Sequence, residues 1–163
     1  MLVEMALETR FTRADLGLLP EGFRVELVDG VLLKMASPVI RHQRLLMRLL
    51  GRLSDSVGEE RILPGPVDFV IDDYNVLVPD AVLLAPGMEP ERGATDLAQA
   101  LAVFEVLSPS TAKRDRQVKT QLYLDAGVQE VWLIDPQGSV DVRRSEAVEA
   151  LPGFTLGDGF FRE

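Results

Sequence analysis

Cysteine is absent from this 163-residue chain. That excludes a disulfide framework, a zinc ribbon and a cysteine nucleophile. Histidine occurs once, at His42, which also excludes a multi-histidine metal site. No run reaches the roughly 18 apolar residues of a membrane span. There is no G-x-x-x-x-G-K-[ST] phosphate loop, no internal repeat and no low-complexity tract. The N-terminus carries Glu4 and Glu8 and has no basic start before a long apolar core, so it does not read as a signal peptide. A cytoplasmic protein without membrane association is expected. Lysine is scarce too: of 17 basic residues only Lys34, Lys113 and Lys119 are lysines.

What is present is ordinary globular usage, with 47% hydrophobic and 26% charged residues. The length suits one domain over residues 1–163. Acidic residues outnumber basic ones 26 to 17, a net charge of −9. Such a chain repels nucleic acid at long range, so a nucleic-acid role must rest on a local basic patch or on metal ions offsetting clustered carboxylates.

Periodicity and breakers give the organisation. Thr12 is placed to cap a short helix over 13–19, ended by Pro20. Two apolar runs, 24–28 and 31–35, flank Asp29-Gly30, a strong hairpin signal. A helix over 39–57 follows, with Leu45, Leu46, Leu49, Leu50 and Leu53 on one face and Arg41, Arg44, Arg48 and Arg52 on another. Strands are expected at 67–71 and 76–84, joined by a turn at 72–75, with a surface loop over 86–94. The run 101–107 reads as a central strand covered on both faces. A helix over about 112–126 and a strand at 131–135 complete a βαβ unit, and 140–143 reads as an edge strand. The fold class is therefore α/β or α+β, a mixed β-sheet flanked by helices.

Four residues stand out chemically. Glu105 lies inside the buried run 102–107, where a carboxylate needs a partner or a metal; a salt bridge at the strand end is the plain explanation. Strand alternation puts it with Val103 and Leu107, opposite Phe104 and Val106. Asp80 follows Pro79 and opens an apolar run, as a turn former or as something more. Glu26 alternates with Val25 and Leu27; a solvent-facing glutamate is the usual account. In the helix after Glu105, Val118, Leu122 and Ala126 recur every four residues as the inward face. Lys119 and Tyr123 lie beside that face, and a lysine there usually snorkels. Together, three carboxylates and a lysine at one sheet edge suit a hard cation such as Mg²⁺, or Mn²⁺ in its place, acting on a phosphodiester. The ammonium would orient the nucleophile or stabilise charge developing on phosphorus.

These residues stand in a recognisable order. Glu26-Leu27-Val28-Asp29-Gly30, Ser37-Pro38, His42, Pro79-Asp80, Phe104-Glu105-Val106-Leu107-Ser108-Pro109-Ser110-Thr111, Arg114-Asp115-Arg116, Lys119, Tyr123, Ala126-Gly127-Val128 and the block from Val131 to Pro136 resemble the Uma-type family. That family is a domain of unknown function assigned to restriction endonucleases, within the PD-(D/E)XK nuclease superfamily. The resemblance runs from about residue 10 to 145. It implies a restriction-endonuclease-like core and metal-dependent hydrolysis of DNA phosphodiesters by an endonuclease, normally with Mg²⁺. Asp80 matches the Asp of the Pro-Asp element, Glu105 the acidic member of (D/E)XK, and Glu26 an early acidic residue near the metal. The Val106 carbonyl would be a further metal ligand. The chain departs at the expected lysine, where Leu107 stands. The resemblance implies that Lys119 supplies it from the following helix, with Lys113 as rival.

DNA contacts are sought on the arginine stripe, at Arg41, Arg44 and Arg48 with His42 beside them, and at Lys113 and Arg114; a solvated face is the plain account of the stripe. Tyr74 or Phe69 could stack on a base or simply pack. A homodimer or higher homo-oligomer is expected for an enzyme cutting both strands, with Phe154, Phe160 and Phe161 either supplying contacts or capping the core. A non-cleaving nucleic-acid or protein interaction module on the same fold is the competing function.

Overall fold

The computed structural model describes residues 10–88, 100–109, 113, 115–145 and 149–161. Helix α1 (Arg13–Leu16) precedes strands β1 (Val25–Val28) and β2 (Val31–Lys34). Helix α2 spans Ile40–Val57 and is followed by β3 (Ile62–Pro64), β4 (Phe69–Asp72), β5 (Asn75–Leu77), β6 (Ala81–Leu84) and β7 (Ala100–Val106). A π turn at Asp115–Lys119 leads into α3 (Thr120–Asp125), and β8 (Glu130–Asp135) and β9 (Ser139–Arg144) follow.

The β1–β2 hairpin forms at Asp29-Gly30, where both residues take positive φ, +51° and +78°. Aspartate tolerates that region and glycine favours it, so the two-residue turn closes without strain.

The chain builds two sheets. One is antiparallel in the order β2-β1-β5-β4; the other is mixed, in the order β3-β6-β7-β8-β9, with β7 and β8 parallel. The expected strand at 76–84 is in fact two strands, β5 in the first sheet and β6 in the second. Pro79 has no N–H to continue a ladder, and the chain changes sheets there. Asp80 is left at the crossing, its N–H donating to the Phe104 carbonyl at 3.2 Å. Gly65 packs against this corner: a Cβ there would stand 2.4 Å from the Pro79 oxygen, so only glycine lets the backbones approach.

The mixed sheet is buried on both faces, as the apolar run at 101–107 predicted. Phe104, Val106, Trp132 and Ile134 face Leu45, Leu49 and Leu53 of α2. Val103, Leu107, Val131 and Leu133 face Tyr123 and the first sheet's Phe69 and Leu77. Phe160 is part of the α2-side core with Phe154 and Phe161 packed against it, and Phe154 meets Trp132 edge-on at 5.4 Å. The three phenylalanines thus cap this chain's own core, with Phe160 buried and Phe154 and Phe161 partly exposed. Among the described residues no helix is long and apolar enough to cross a membrane.

Candidate active site

One cleft of about 870 Å³ lies where the two sheets and the start of α2 meet, and Glu26, His42, Asp80, Glu105, Val106 and Lys119 all line it. Each arrives for a local reason. Glu26 comes from β1, Asp80 from the sheet-crossing corner and Glu105 from the end of β7, all facing the space under α2's first turn.

At the floor of the cleft Lys119 joins two carboxylates. Its Nζ stands 2.7 Å from Glu26 Oε1 and 2.6 Å from Glu105 Oε1. The side chains of all three are at most 7% exposed. The Val78 N–H donates to Glu26 Oε1 at 3.0 Å, and the Tyr123 hydroxyl donates to Glu105 Oε1 at 2.8 Å. Glu26 is therefore not the solvent-facing glutamate that its strand alternation suggests. Lys119 is not a snorkelling edge residue either. The π turn that ends at Lys119 alters the helical phase, since its wider turn holds more residues than an α-turn. The inward face becomes Lys119, Thr120 and Tyr123, while Val118 is 44% exposed. Arg116, one turn earlier, ties this segment to the sheet through Asp135 Oδ2 at 3.2 Å.

Tyr123 is the participant that sequence reading missed as a partner of Glu105. Its signal was the four-residue spacing from Lys119, which stacks the two on one face. Tyr123→Phe removes the hydroxyl yet keeps the ring against Phe69, 5.1 Å away. A loss of about 1–2 kcal/mol is expected by urea unfolding, because a buried carboxylate loses a donor. An unchanged midpoint would mean that this hydrogen bond contributes nothing net.

Asp80 stands higher in the cleft, its side chain 22% exposed. Its Oδ2 accepts from the Val106 N–H at 2.7 Å, and His42 Nε2 lies 3.2 Å from the same oxygen. The hydrogen bond that His42 donates to Asp80 raises the His42 pKa above its ordinary 6.5; burial opposes the shift, and the Asp80 charge and the Val106 backbone add to it. His42 Nδ1 is buried without a hydrogen-bond partner of good geometry.

The acidic side chains lining the cleft, Asp80 and Glu105 among them, are oxygen donors of the kind that fits Mg²⁺, which commonly takes one or two carboxylates and keeps several waters. Among the described residues no three His, Asp or Glu side chains are grouped to hold an ion by themselves. Glu26, Asp80 and Glu105 share the cleft, but Glu26 is turned to Lys119 and the Val78 N–H.

The other sequence candidates divide. Arg41 donates to the Pro136 carbonyl at 2.7 Å and Arg48 to that of Phe160 at 3.1 Å, so half the arginine stripe ties α2 to the rest of the chain. Arg44 and Arg52 are exposed. Lys113 is exposed, and Arg114 lies outside the described residues. Phe69 is fully buried and out of reach of any base, while Tyr74 carries the Arg10 guanidinium 4.3 Å above its ring.

Comparison with known proteins agrees with this architecture. The model of the Uma2 family, described as "Putative restriction endonuclease", matches residues 10–155. A crystal structure of a "putative nuclease belonging to DUF820" from Anabaena variabilis superposes with a TM-score of 0.70 at 21% identity, covering 85% of this chain and 82% of that one. No curated protein matches.

Proposed function

The chain belongs to the Uma2 family, and from that premise we propose that it is a metal-dependent DNA endonuclease whose centre is Asp80, Glu105 and Lys119. Family and fold support a nuclease role. The observation carrying the finer reading is the buried Lys119 held between Glu26 and Glu105 at the floor of a cleft that Asp80 also lines.

Asp80, Glu105 and the Val106 carbonyl would hold Mg²⁺ or Mn²⁺. The ion's chemistry there is to polarise a phosphodiester oxygen and lower the pKa of a bound water. Glu26 and Glu105 fix the Lys119 ammonium, so its charge is in place before the phosphate arrives and needs no reorganisation as charge develops on phosphorus. Water adds to phosphorus, the bond to the leaving ester oxygen breaks, and that oxygen takes a proton.

Thermal unfolding with and without Mn²⁺ tests the site. At a hundredfold excess over Kd an ion stabilises the folded chain by about 2.7 kcal/mol, and Asp80→Ala is expected to abolish that rise together with cleavage of a labelled oligodeoxynucleotide. Equal metal responses in parent and variant would remove Asp80 from the site. The alternative function, a non-cleaving interaction module, draws on the charge of −9 and on the two structurally committed arginines. It predicts no metal response in the parent.

A further inference from the structure

A second, shallower groove of about 350 Å³ runs along α2, and Pro38 and Gln43 line both it and the main cleft. The two therefore adjoin at these residues. The groove's other walls are Ile40, Arg44, Met47 and Arg48. On a helix, residues 40, 43, 44 and 47 share one face. That face is unusual for a soluble helix: Ile40 is 74% and Met47 67% exposed, and Arg44 between them makes no ion pair among the described residues. The committed groups of the stripe, Arg41 and Arg48, bond carbonyls of the chain itself. An apolar strip with one available guanidinium, beside the cleft proposed above to take a phosphodiester, suits unstacked bases and a phosphate.

We infer that nucleotides flanking the scissile bond lie in the α2 groove, with a phosphate on Arg44 and bases against Ile40 and Met47, so that the substrate enters as a single strand. This rests on the nuclease reading above. A duplex buries its base faces by stacking and offers nothing to the apolar strip. Its rigid double backbone also does not follow into a cleft whose lysine and glutamates are at most 7% exposed. A single strand exposes base faces and bends. The excess negative charge of the chain sharpens the point, since attraction must come from this local strip rather than from the long-range field.

The test is fluorescence anisotropy of a short labelled oligodeoxynucleotide, single-stranded or annealed, in Mg²⁺-free buffer with the full chain. The single strand is expected to bind more tightly than the duplex. Arg44→Glu should weaken it about tenfold and lower the salt slope by about 0.7, the value for one phosphate on a single strand. Met47→Ser should weaken binding as well, whereas Arg52→Glu, on the same helix beyond the groove, should leave it nearly unchanged. Duplex binding as tight as single-strand binding overturns the inference. So does equal weakening by Arg44→Glu and Arg52→Glu, or a dimer in light scattering that Met47→Ser dissociates without touching oligonucleotide affinity. Adding Mg²⁺ to the same samples separates the two readings. Arg44-dependent binding without cleavage keeps the groove and removes the nuclease; cleavage indifferent to Arg44→Glu keeps the nuclease and removes the groove.

Discussion

Lys119→Met is expected to destabilise the fold by about 3–5 kcal/mol, the usual cost of removing one partner from a buried ion pair, and to abolish cleavage. The methionine fills the space of the lysine stem, so little of the effect comes from a cavity. What remains is two carboxylate oxygens that shared one ammonium, 2.7 and 2.6 Å from Nζ, now buried and facing each other. Their repulsion and desolvation are the source of the loss, which gives the prediction a second arm. Adding Glu26→Gln and Glu105→Gln to Lys119→Met should recover much of the stability, because neutral replacement of a whole buried charge cluster is often harmless. Cleavage should not return with it. Urea unfolding of the single and triple variants reads this directly. A triple variant no more stable than Lys119→Met would mean that the lysine contributes packing rather than charge.

The partners of this cluster come from three places distant in the chain, and that decides how much of it was legible in the sequence. Glu105 was legible because a charge inside a run of apolar strand residues breaks the local rule. Glu26 and Asp80 looked ordinary alone; only their order along the chain, matched to a family pattern, set them apart. The Asp29-Gly30 hairpin was legible because its cause is entirely local.

The division into two sheets was not read, although Pro79 carried the signal. Strand pairing is a choice among distant partners, and a run over 76–84 gives no hint that its halves choose differently. Strand β3 (Ile62–Pro64) was missed because three residues are too few to show an alternation. The inward face of the helix after β7 was misjudged because a period of 3.6 was carried through a stretch that is a π turn. Glu130 shows the same limit. It is fully buried at the start of β8, yet nothing near it announces that Trp132 Nε1 and Arg144 Nε each stand 2.8 Å from its carboxylate. Arg144 is its cross-strand partner in β9, a register no local pattern states.

Asp80→Ala is expected to destabilise the protein most in acid, and the sign follows from His42. Asp80 raises the His42 pKa above 6.5, so the folded chain binds that proton more tightly than the unfolded one. The stability this contributes is whole below about pH 6.5 and is lost as pH rises through the folded value. Asp80→Ala removes it and also strips the Val106 N–H of its acceptor, 2.7 Å away. The second loss is independent of pH and costs about 1–3 kcal/mol, as for a buried donor left unpaired. His42→Gln separates the two, since it deletes the titrating ring and leaves Asp80 on the Val106 N–H. Urea unfolding between about pH 5 and 8 should therefore show a gap between parent and Asp80→Ala that narrows with rising pH to a plateau above zero. For His42→Gln the proton-linked part of the gap should fade to nothing over the same range. A gap that stays constant, or widens towards alkaline pH, would mean that the Asp80–His42 contact does not favour the imidazolium, and that His42 stands in the cleft as a neutral ring.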